Sequence, residues 1–247
     1  MSENWLEAEV VENRHWTDAL FSVKVRGPEL KFEAGQFVRI ALDVDGERVA
    51  RPFSFVNAPG DPVLEFYGIV VPEGPLSPRL ERLRAGERLY VAPNPAGFLV
   101  LSEIPDAQSL WLMATGTGIA PFLSMLRTEE PWKRFRDVVL VHAVRHAKEL
   151  VYQDLIGELR AARPSLRTVT FVSREPHAAS LPGRIPAAIT DGSLERAARV
   201  ALSADFSHVM LCGNPDMLKD ATAALIARGL RKHRRRTPGH ISVESFW

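Results

Sequence analysis

The chain has 247 residues, 46% hydrophobic and 25% charged, and a formal net charge of +1 at pH 7. This length accommodates one large domain or two ordinary ones, each able to bury a core, and the composition is that of a soluble globular protein. The near-balance of charge excludes a generally basic, nucleic-acid-coating protein. The lone cysteine, Cys212, excludes an intrachain disulfide, a cysteine-based zinc site and an in-chain iron–sulfur cluster.

Met1–Val10 is polar and acidic and lacks the charged-then-apolar pattern of a signal segment. No run of about 18 apolar residues is present to span a bilayer. These features lead us to expect a cytoplasmic protein without a membrane anchor. The first hundred residues read as β-structure, in apolar segments at Ala8–Asn13, Leu20–Val25, Gln36–Leu42, Val49–Asn57, Leu64–Val71 and Arg88–Ala92. Asp45-Gly46 separates two of them and is a strong hairpin signal. Six short strands favour a small antiparallel barrel over a sandwich, although periodicity alone leaves both open. Leu76, Leu80 and Leu83 are spaced to form one face of a helix over Leu76–Arg84.

The polar stretch Ser102–Gln108, containing Pro105, reads as a linker, which gives a first domain over 1–101 and a second over 109–247. In the second, the apolar runs Leu110–Ala114, Val138–Val144, Thr168–Ser173 and His208–Cys212 alternate with helical patterns. Val151, Leu155 and Leu159 mark one helix, and Met217, Ala221, Ala224 and Leu225 mark another. Buried strands alternating with amphipathic helices indicate a doubly wound parallel sheet. His240–Glu244 reads as a final strand. The expected fold class is thus β followed by α/β, an antiparallel barrel and then a nucleotide-binding domain.

The first strand of the second domain runs into Thr115-Gly116-Thr117-Gly118-Ile119-Ala120-Pro121-Phe122. Glycines at a strand-to-helix turn let backbone approach a pyrophosphate, and Pro121 suits a first helical turn. A plain tight turn would use the same residues, and Pro121 stands where the dinucleotide fingerprint has its third glycine, so an ordinary Rossmann dehydrogenase is disfavoured. On a barrel strand, Arg51 and Phe53 of Arg51-Pro52-Phe53-Ser54 share a face. A cation and a ring there suit either a flat phosphorylated cofactor or an ordinary surface arginine beside a core aromatic.

Cys212-Gly213-Asn214-Pro215-Asp216-Met217 follows a strand and opens a helix. Ligands sit at such strand ends in open α/β sheets, while a lone buried cysteine is otherwise an inert small hydrophobe. Arg145, Arg174 and Arg184 each trail a strand of the second domain. They read either as solvated surface arginines or as a cage for the 2′-phosphate that separates NADPH from NADH. Arg228–Arg236 carries six lysine and arginine side chains in nine residues. It reads either as a solvated helix end or as a surface that steers an acidic partner. Nucleic acid is disfavoured, since no aromatic interleaving accompanies it.

In order and separation, Arg51–Ser54, Gly116–Pro121, Cys212–Met217 and an aromatic C-terminus resemble the bacterial ferredoxin/flavodoxin–NADP reductases over essentially the whole chain. Trp16–Phe21, Ala34–Phe37 and Leu76–Leu80 add to the likeness. The resemblance implies FAD and NADP(H) as cofactors, no metal, and hydride exchange between NADPH and FAD coupled to one-electron transfer with ferredoxin or flavodoxin. Arg51, Pro52, Phe53, Ser54, Tyr67, Pro75, Leu76, Ser77 and Thr117 are implied FAD contacts. Phe246 would lie beside the isoalloxazine and Trp247 on the adenine.

Val144, Arg145, Ser173, Arg174 and Arg184 are implied to hold the adenosine 2′-phosphate of NADP, with Asn214, Pro215, Asp216 and Asp220 along the nucleotide's path. Ser54, Cys212 and Glu244 would shape the catalytic centre. Phe53 and Phe246 stand where the family usually has tyrosine, which keeps each ring and removes a hydroxyl. An acidic carrier docking on Arg228–Arg236 and on Arg79, Arg82, Arg84 and Arg88 is implied as partner, and the chain is expected to be a monomer. Two other readings remain. One is an NADH-dependent flavin reductase component of an oxygenase system. The other is a non-catalytic electron-transfer subunit.

Overall fold

The structure is a computed structural model that describes residues 4–27 and 29–245. Phe246 and Trp247, expected at the flavin, lie outside the described residues. The first half forms strands β1 (Leu6–His15), β2 (Leu20–Arg26), β3 (Phe37–Val44), β4 (Glu47–Ser54) and β5 (Leu64–Ile69), then helix α1 (Ser77–Leu80) and β6 (Arg88–Val91). They make one antiparallel sheet in the order β4-β3-β6-β1-β2-β5. Its two edge strands meet again at a bridge between Phe55 and Phe66, so the sheet curls toward a closed barrel, which removes exposed edges. The β3–β4 hairpin turns at Asp45 and Gly46, both at positive φ (53° and 85°), as the Asp-Gly signal requires.

The second half adds β7 (Ser109–Thr115), α2 (Ala120–Leu126), α3 (Glu130–Arg134), β8 (Asp137–Val144), α4 (Gln153–Ala162) and β9 (Leu166–Val172). It continues with β10 (Leu181–Pro182), α5 (Ile185–Asp191), α6 (Ser193–Ala198), β11 (Ser207–Gly213), α7 (Pro215–Ala227) and β12 (Ile241–Ser245). The strands form a parallel sheet in the order β10-β9-β8-β7-β11-β12. Chain order reverses between β7 and β11, and in open α/β sheets that switch point opens a crevice at the strands' carboxyl ends.

Side chains alternate across these strands, so the sheet supplies two cores. Trp111, Met113, Val139, Val141, Val209 and Leu211 pack against α5, α6 and α7. Leu110, Leu112, Ala114, Met210 and Cys212 face the other way, onto α2, Tyr152 and the barrel residues Leu20, Val56 and Tyr67. One apolar core therefore runs through the junction of the two halves. Gly35 (φ 107°) belongs to that junction, since a Cβ there would lie 2.1 Å from the Leu99 carbonyl oxygen.

One expectation needs correction and one is narrowed. The helix expected over Leu76–Arg84 is helical only at Ser77–Leu80. Beyond it, the Asn13 amide donates to the carbonyls of Leu80, Glu81 and Leu83 at 2.9–3.0 Å, and this turns the chain out of the helix. Of the basic stretch, read either as a helix end or as a partner surface, only Arg228 caps a helix. Helix α7 stops at Ala227, Gly229 takes a left-handed φ of 88°, and the following residues form an irregular ribbon with bridges Lys232–Ile241 and Arg234–Thr237.

Candidate active site

The turn after β7 is built to approach the end of β11 closely. Residues Gly116–Ile119 wind as a 3₁₀ turn that leads into α2. A Cβ on Gly118 would sit 2.6 Å from the Cys212 carbonyl oxygen, and one on Gly213 (φ 129°) would sit 2.3 Å from Thr115 Oγ1. The two strand ends are thus pressed together with only glycine between them. Thr115 Oγ1 accepts from the Asn214 N–H at 2.8 Å. Asn214 in turn caps α7, its Oδ1 accepting from the N–H groups of Asp216 and Met217 at 3.0 and 3.2 Å, with Pro215 as first helical residue. Below the turn, His142 Nε2 lies 3.0 Å from the Gly116 carbonyl oxygen. Burial pushes this imidazole down to about 4, so it is neutral at neutral pH and fixes the turn as a donor.

A cavity of about 380 Å³ opens over these glycines. It is lined by Thr117, Val144, Arg145, Ser173, Arg174, Arg184, Asn214, Asp216 and Asp220, and, from the barrel, by Ala19, Leu20 and Ile69. The structure thereby gathers nearly all the residues expected to meet NADP. Ser173 and Arg174 are tied to the neighbouring strand end, their N–H groups donating to the carbonyls of Val144 (3.1 Å) and Arg145 (2.9 Å). Arg145, Arg174 and Arg184 are exposed, and none pairs with a carboxylate among the described residues. Three uncompensated guanidinium groups at one end of a cleft suit a phosphate dianion.

The barrel residues expected at the flavin form a second cluster, outside that cavity's lining. The Phe55–Phe66 bridge brings Ser54 beside Tyr67 and Phe53 beside Gly68. Gly68 is needed there, because a Cβ would lie 2.9 Å from the ring of Phe53 and equally from that of Phe21. Ser54 pairs with Phe37 on its other side. Phe37 and Glu244 Oε1 both approach Gly97, at 3.1 Å from its would-be Cβ, and Glu244 pairs in register with Cys212.

The expected catalytic trio Ser54, Cys212 and Glu244 therefore converges where the two halves meet. Ser54 Oγ, the Tyr67 hydroxyl and Glu244 Oε2 are buried without a hydrogen-bond partner among the described residues. Buried polar atoms are nearly always satisfied, so three orphans in one region leave capacity for a polar ligand. Burial lifts the Glu244 carboxyl to about 7. It also pushes the Cys212 thiol up, with the Glu244 charge adding to the effect, so Cys212 is a neutral side chain in the core rather than a thiolate nucleophile.

Arg51 and Pro52 are exposed on β4. Among the described residues the Arg51 guanidinium donates only to the Ala50 carbonyl, at 2.7 Å. Leu76 is 1% exposed and packs in the barrel core, so only its backbone can serve a ligand. Ser77 Oγ accepts from the Val71 N–H at 2.9 Å, and Pro75 stands exposed before α1. Sequence reasoning missed Glu149, which also lines the cleft and whose Oε2 accepts from the N–H groups of Arg145 and His146 at 2.9 and 3.3 Å. It missed the barrel residues Ala19, Leu20 and Ile69 as well, since their apolar character gives no signal beyond that of a core.

A curled antiparallel barrel beside a parallel sheet, with a cation-walled cleft at the switch point, defines a two-domain, dinucleotide-dependent oxidoreductase. The chain is 48% identical over 246 residues to the flavodoxin/ferredoxin–NADP reductase of Escherichia coli (strain K12), which covers 99% of each chain. It belongs to the flavodoxin/ferredoxin–NADP reductase family of FAD-containing oxidoreductases that use NADP(H). It is also 37% identical over 246 residues to the ferredoxin–NADP reductase of Pseudomonas aeruginosa, with 95% of each covered. A ferredoxin NADP+ reductase from Neisseria gonorrhoeae, solved with bound FAD and NADP, superposes with a TM-score of 0.93 at 32% identity over 98% of both chains. Residues 112–223 match the oxidoreductase NAD-binding domain family. No helix among the described residues is long and apolar enough to cross a membrane.

Proposed function

We propose that this chain binds FAD on the barrel and NADP(H) over the parallel sheet, and exchanges electrons with ferredoxin or flavodoxin. The observation that carries the reading is the placement of three buried polar atoms without partners among the described residues, on Ser54, Tyr67 and Glu244, beside a cleft lined by three arginines that pair with no described carboxylate. When bound, FAD links two-electron exchange with the nicotinamide to one-electron exchange with a carrier, and that redox chemistry is the cofactor's own. The protein supplies placement and electrostatics. We take residues 1–101 as the flavin domain, 109–247 as the nucleotide domain, and 102–108 as the joint.

On the barrel, Arg51 would hold the pyrophosphate, assisted by the backbone of Pro75, Leu76 and Ser77, with Pro52 shaping the β4 approach. Phe53 and Tyr67 would bound the flavin ring, Ser54 would donate to it, and Thr117 would reach it from the second domain. Phe246 and Trp247 are proposed to cover its isoalloxazine and adenine. Arg145, Arg174 and Arg184, with Val144 and Ser173, would select the 2′-phosphate, while Asn214, Pro215, Asp216 and Asp220 line the nucleotide's path. Cys212 would offer a neutral, compact surface to the nicotinamide, and Glu244 a carboxyl able to hold or release a proton near neutrality.

For the carrier, the geometry narrows the expected docking charges. Arg228 is a structural residue, donating to the carbonyls of Ile189 and Leu202 at 3.0 Å and pairing with Glu195. Arg88 is engaged by Glu7, Arg82 by Glu81 and Arg79 by Asp45. Arg235 pairs with Glu103, whereas Arg84, Arg231, Lys232, Arg234 and Arg236 have no carboxylate partner among the described residues and remain available to an acidic partner. Anaerobic mixing tests the whole reading. NADPH should bleach the flavin absorbance of the purified protein much faster than NADH does, and Arg174→Ala should narrow that preference by about tenfold, the loss of one charge-assisted phosphate contact. A colourless protein, or equal rates with both nucleotides, would overturn it.

A further inference from the structure

Tyr152 joins the two halves of the molecule by unusual means. It precedes α4 with left-handed backbone angles, φ 60° and ψ 21°, a region that residues other than glycine seldom enter. Its side chain is 5% exposed. The hydroxyl donates to Glu65 Oε1 on β5 at 2.9 Å, a buried bond spanning 87 residues of sequence. Glu65 is 8% exposed, and its other oxygen is 3.8 Å from Arg127 of the second half. A tyrosine held in a costly backbone conformation, with its hydroxyl on a buried carboxylate of another sheet, is positioned by more than apolar packing.

Two aromatic side chains among the described residues pack on the ring. It stands edge-on to Tyr67, with centroids 5.4 Å apart and planes at 82°, and lies against Trp16 at 4.7 Å. Tyr67 carries one of the orphaned hydroxyls at the flavin site. At its backbone, Tyr152 ends the loop that starts with Arg145 and contains Glu149, whose carboxylate holds the N–H groups of Arg145 and His146. One side chain thus touches the flavin-side tyrosine while its own loop carries a phosphate-binding arginine.

We propose that Tyr152 is a positioning residue for hydride exchange. Its ring sets the tilt of Tyr67, and its bond to Glu65 fixes the 145–152 loop at one distance from the barrel. This rests on the reading that Tyr67 borders FAD and Arg145 borders NADP. The geometry of donor and acceptor then depends on a bond remote from both, and a misplacement of reacting groups by about 1 Å is enough to slow a transfer severely.

The test uses the FAD-loaded protein and the variants Tyr152→Phe and Glu65→Gln. Tyr152→Phe keeps the ring and removes the donor, whereas Glu65→Gln keeps an acceptor oxygen for it. We expect Tyr152→Phe to bind FAD stoichiometrically and NADP+ with unchanged affinity, but to show altered visible circular dichroism of the flavin. Its single-turnover reduction by NADPH should be about tenfold slower. Glu65→Gln should keep the wild-type dichroism and most of the rate. If Tyr152→Phe does not accumulate, Glu65→Leu removes the same bond and is read in the same way. Lowered thermal stability with unchanged dichroism and rate would reduce Tyr152 to a structural role and overturn the proposal. A wild-type protein without bound flavin would instead refute the underlying functional reading.

Discussion

Among single side chains, Glu244 has the environment best suited to respond near neutral pH. Its carboxyl is lifted to about 7 by burial, so below that value it is neutral and above it ionised. If it faces the nicotinamide as proposed, the sign follows from charge. The oxidised ring is cationic and the reduced ring neutral, so ionised Glu244 favours NADP+ over NADPH. Raising the pH through 7 should therefore tighten NADP+ relative to NADPH by severalfold, and Glu244→Gln should flatten that dependence. Titrating both nucleotides against the flavin spectrum between pH 6 and 8 checks it, and a Gln variant that retains the full pH dependence would remove Glu244 from this role.

The same scale shows what sequence can reveal of a site. Arg145, Arg174 and Arg184 were legible because exposed cations after successive parallel strands must share one edge of the sheet. Cys212 was legible as a position at a strand end, and of its two readings the inert buried hydrophobe is the one that its full burial supports. Glu149 and Tyr152 gave no signal, since their significance comes from backbone donors and a carboxylate distant in sequence.

At the scale of elements, most strands were read nearly to their ends, from alternation in the barrel and from apolar runs in the second half, whereas the two-residue β10 left no such pattern. Departures arose where a partner outside the segment decides. The strand expected to reach Asn57 stops at Ser54, where pairing passes from β3 to the edge strand β5 at Phe55–Phe66. The helix from Leu76 is short because Asn13 captures its last carbonyls, and nothing within Leu76–Arg84 announces that.

The glycine turn was legible as a strand-to-helix turn, although its packing reason is different in kind. Gly118 has no need of positive φ. It is confined by the Cys212 backbone, 2.6 Å from where its Cβ would be. A methyl group there must force apart the ends of β7 and β11, since the obstruction is main chain rather than a movable side chain. Gly118→Ala should accordingly destabilise the protein by about 2 kcal/mol or more and weaken both flavin and nucleotide binding. Gly116→Ala, with open space at its Cβ but a φ of 52°, should cost about 1 kcal/mol by backbone strain alone. Urea unfolding of the two variants, compared at equal flavin content, distinguishes steric conflict from strain. Equal losses would contradict this assignment.

For the molecule as a whole, acid sensitivity follows from groups that one core holds in the wrong charge state. His142 is pushed down to about 4 and His208 to about 3, both chiefly by burial. Each would be about 6.5 when unfolded. Between pH 4.5 and 6.5 the unfolded chain therefore takes up a proton at each histidine that the folded protein refuses, and stability falls as pH falls. Glu244 works in the opposite direction. Folded at about 7 and 4.5 in reference, it retains a proton over this range that the unfolded chain has released, and it stabilises the fold as pH falls. Asp43, Glu175, Asp191 and Glu195 are all lowered from reference values of 3.8 or 4.5, so their stabilising effect is lost only below the window.

Two histidines against one carboxyl leave a net difference of about one proton, or roughly 1.4 kcal/mol of stability per pH unit near pH 5.5. His240, also lowered, adds in the same sense. Stability measured by urea unfolding should plateau above pH 7 and decline with that slope from 6.5 toward 4.5. Glu244→Gln removes the opposing term, so its slope should approach two protons per molecule. His208→Leu should reduce the slope toward zero, at an offset for the lost bond to Ser242 Oγ. A wild-type profile flat across this window would mean that neither imidazole is held neutral by the core.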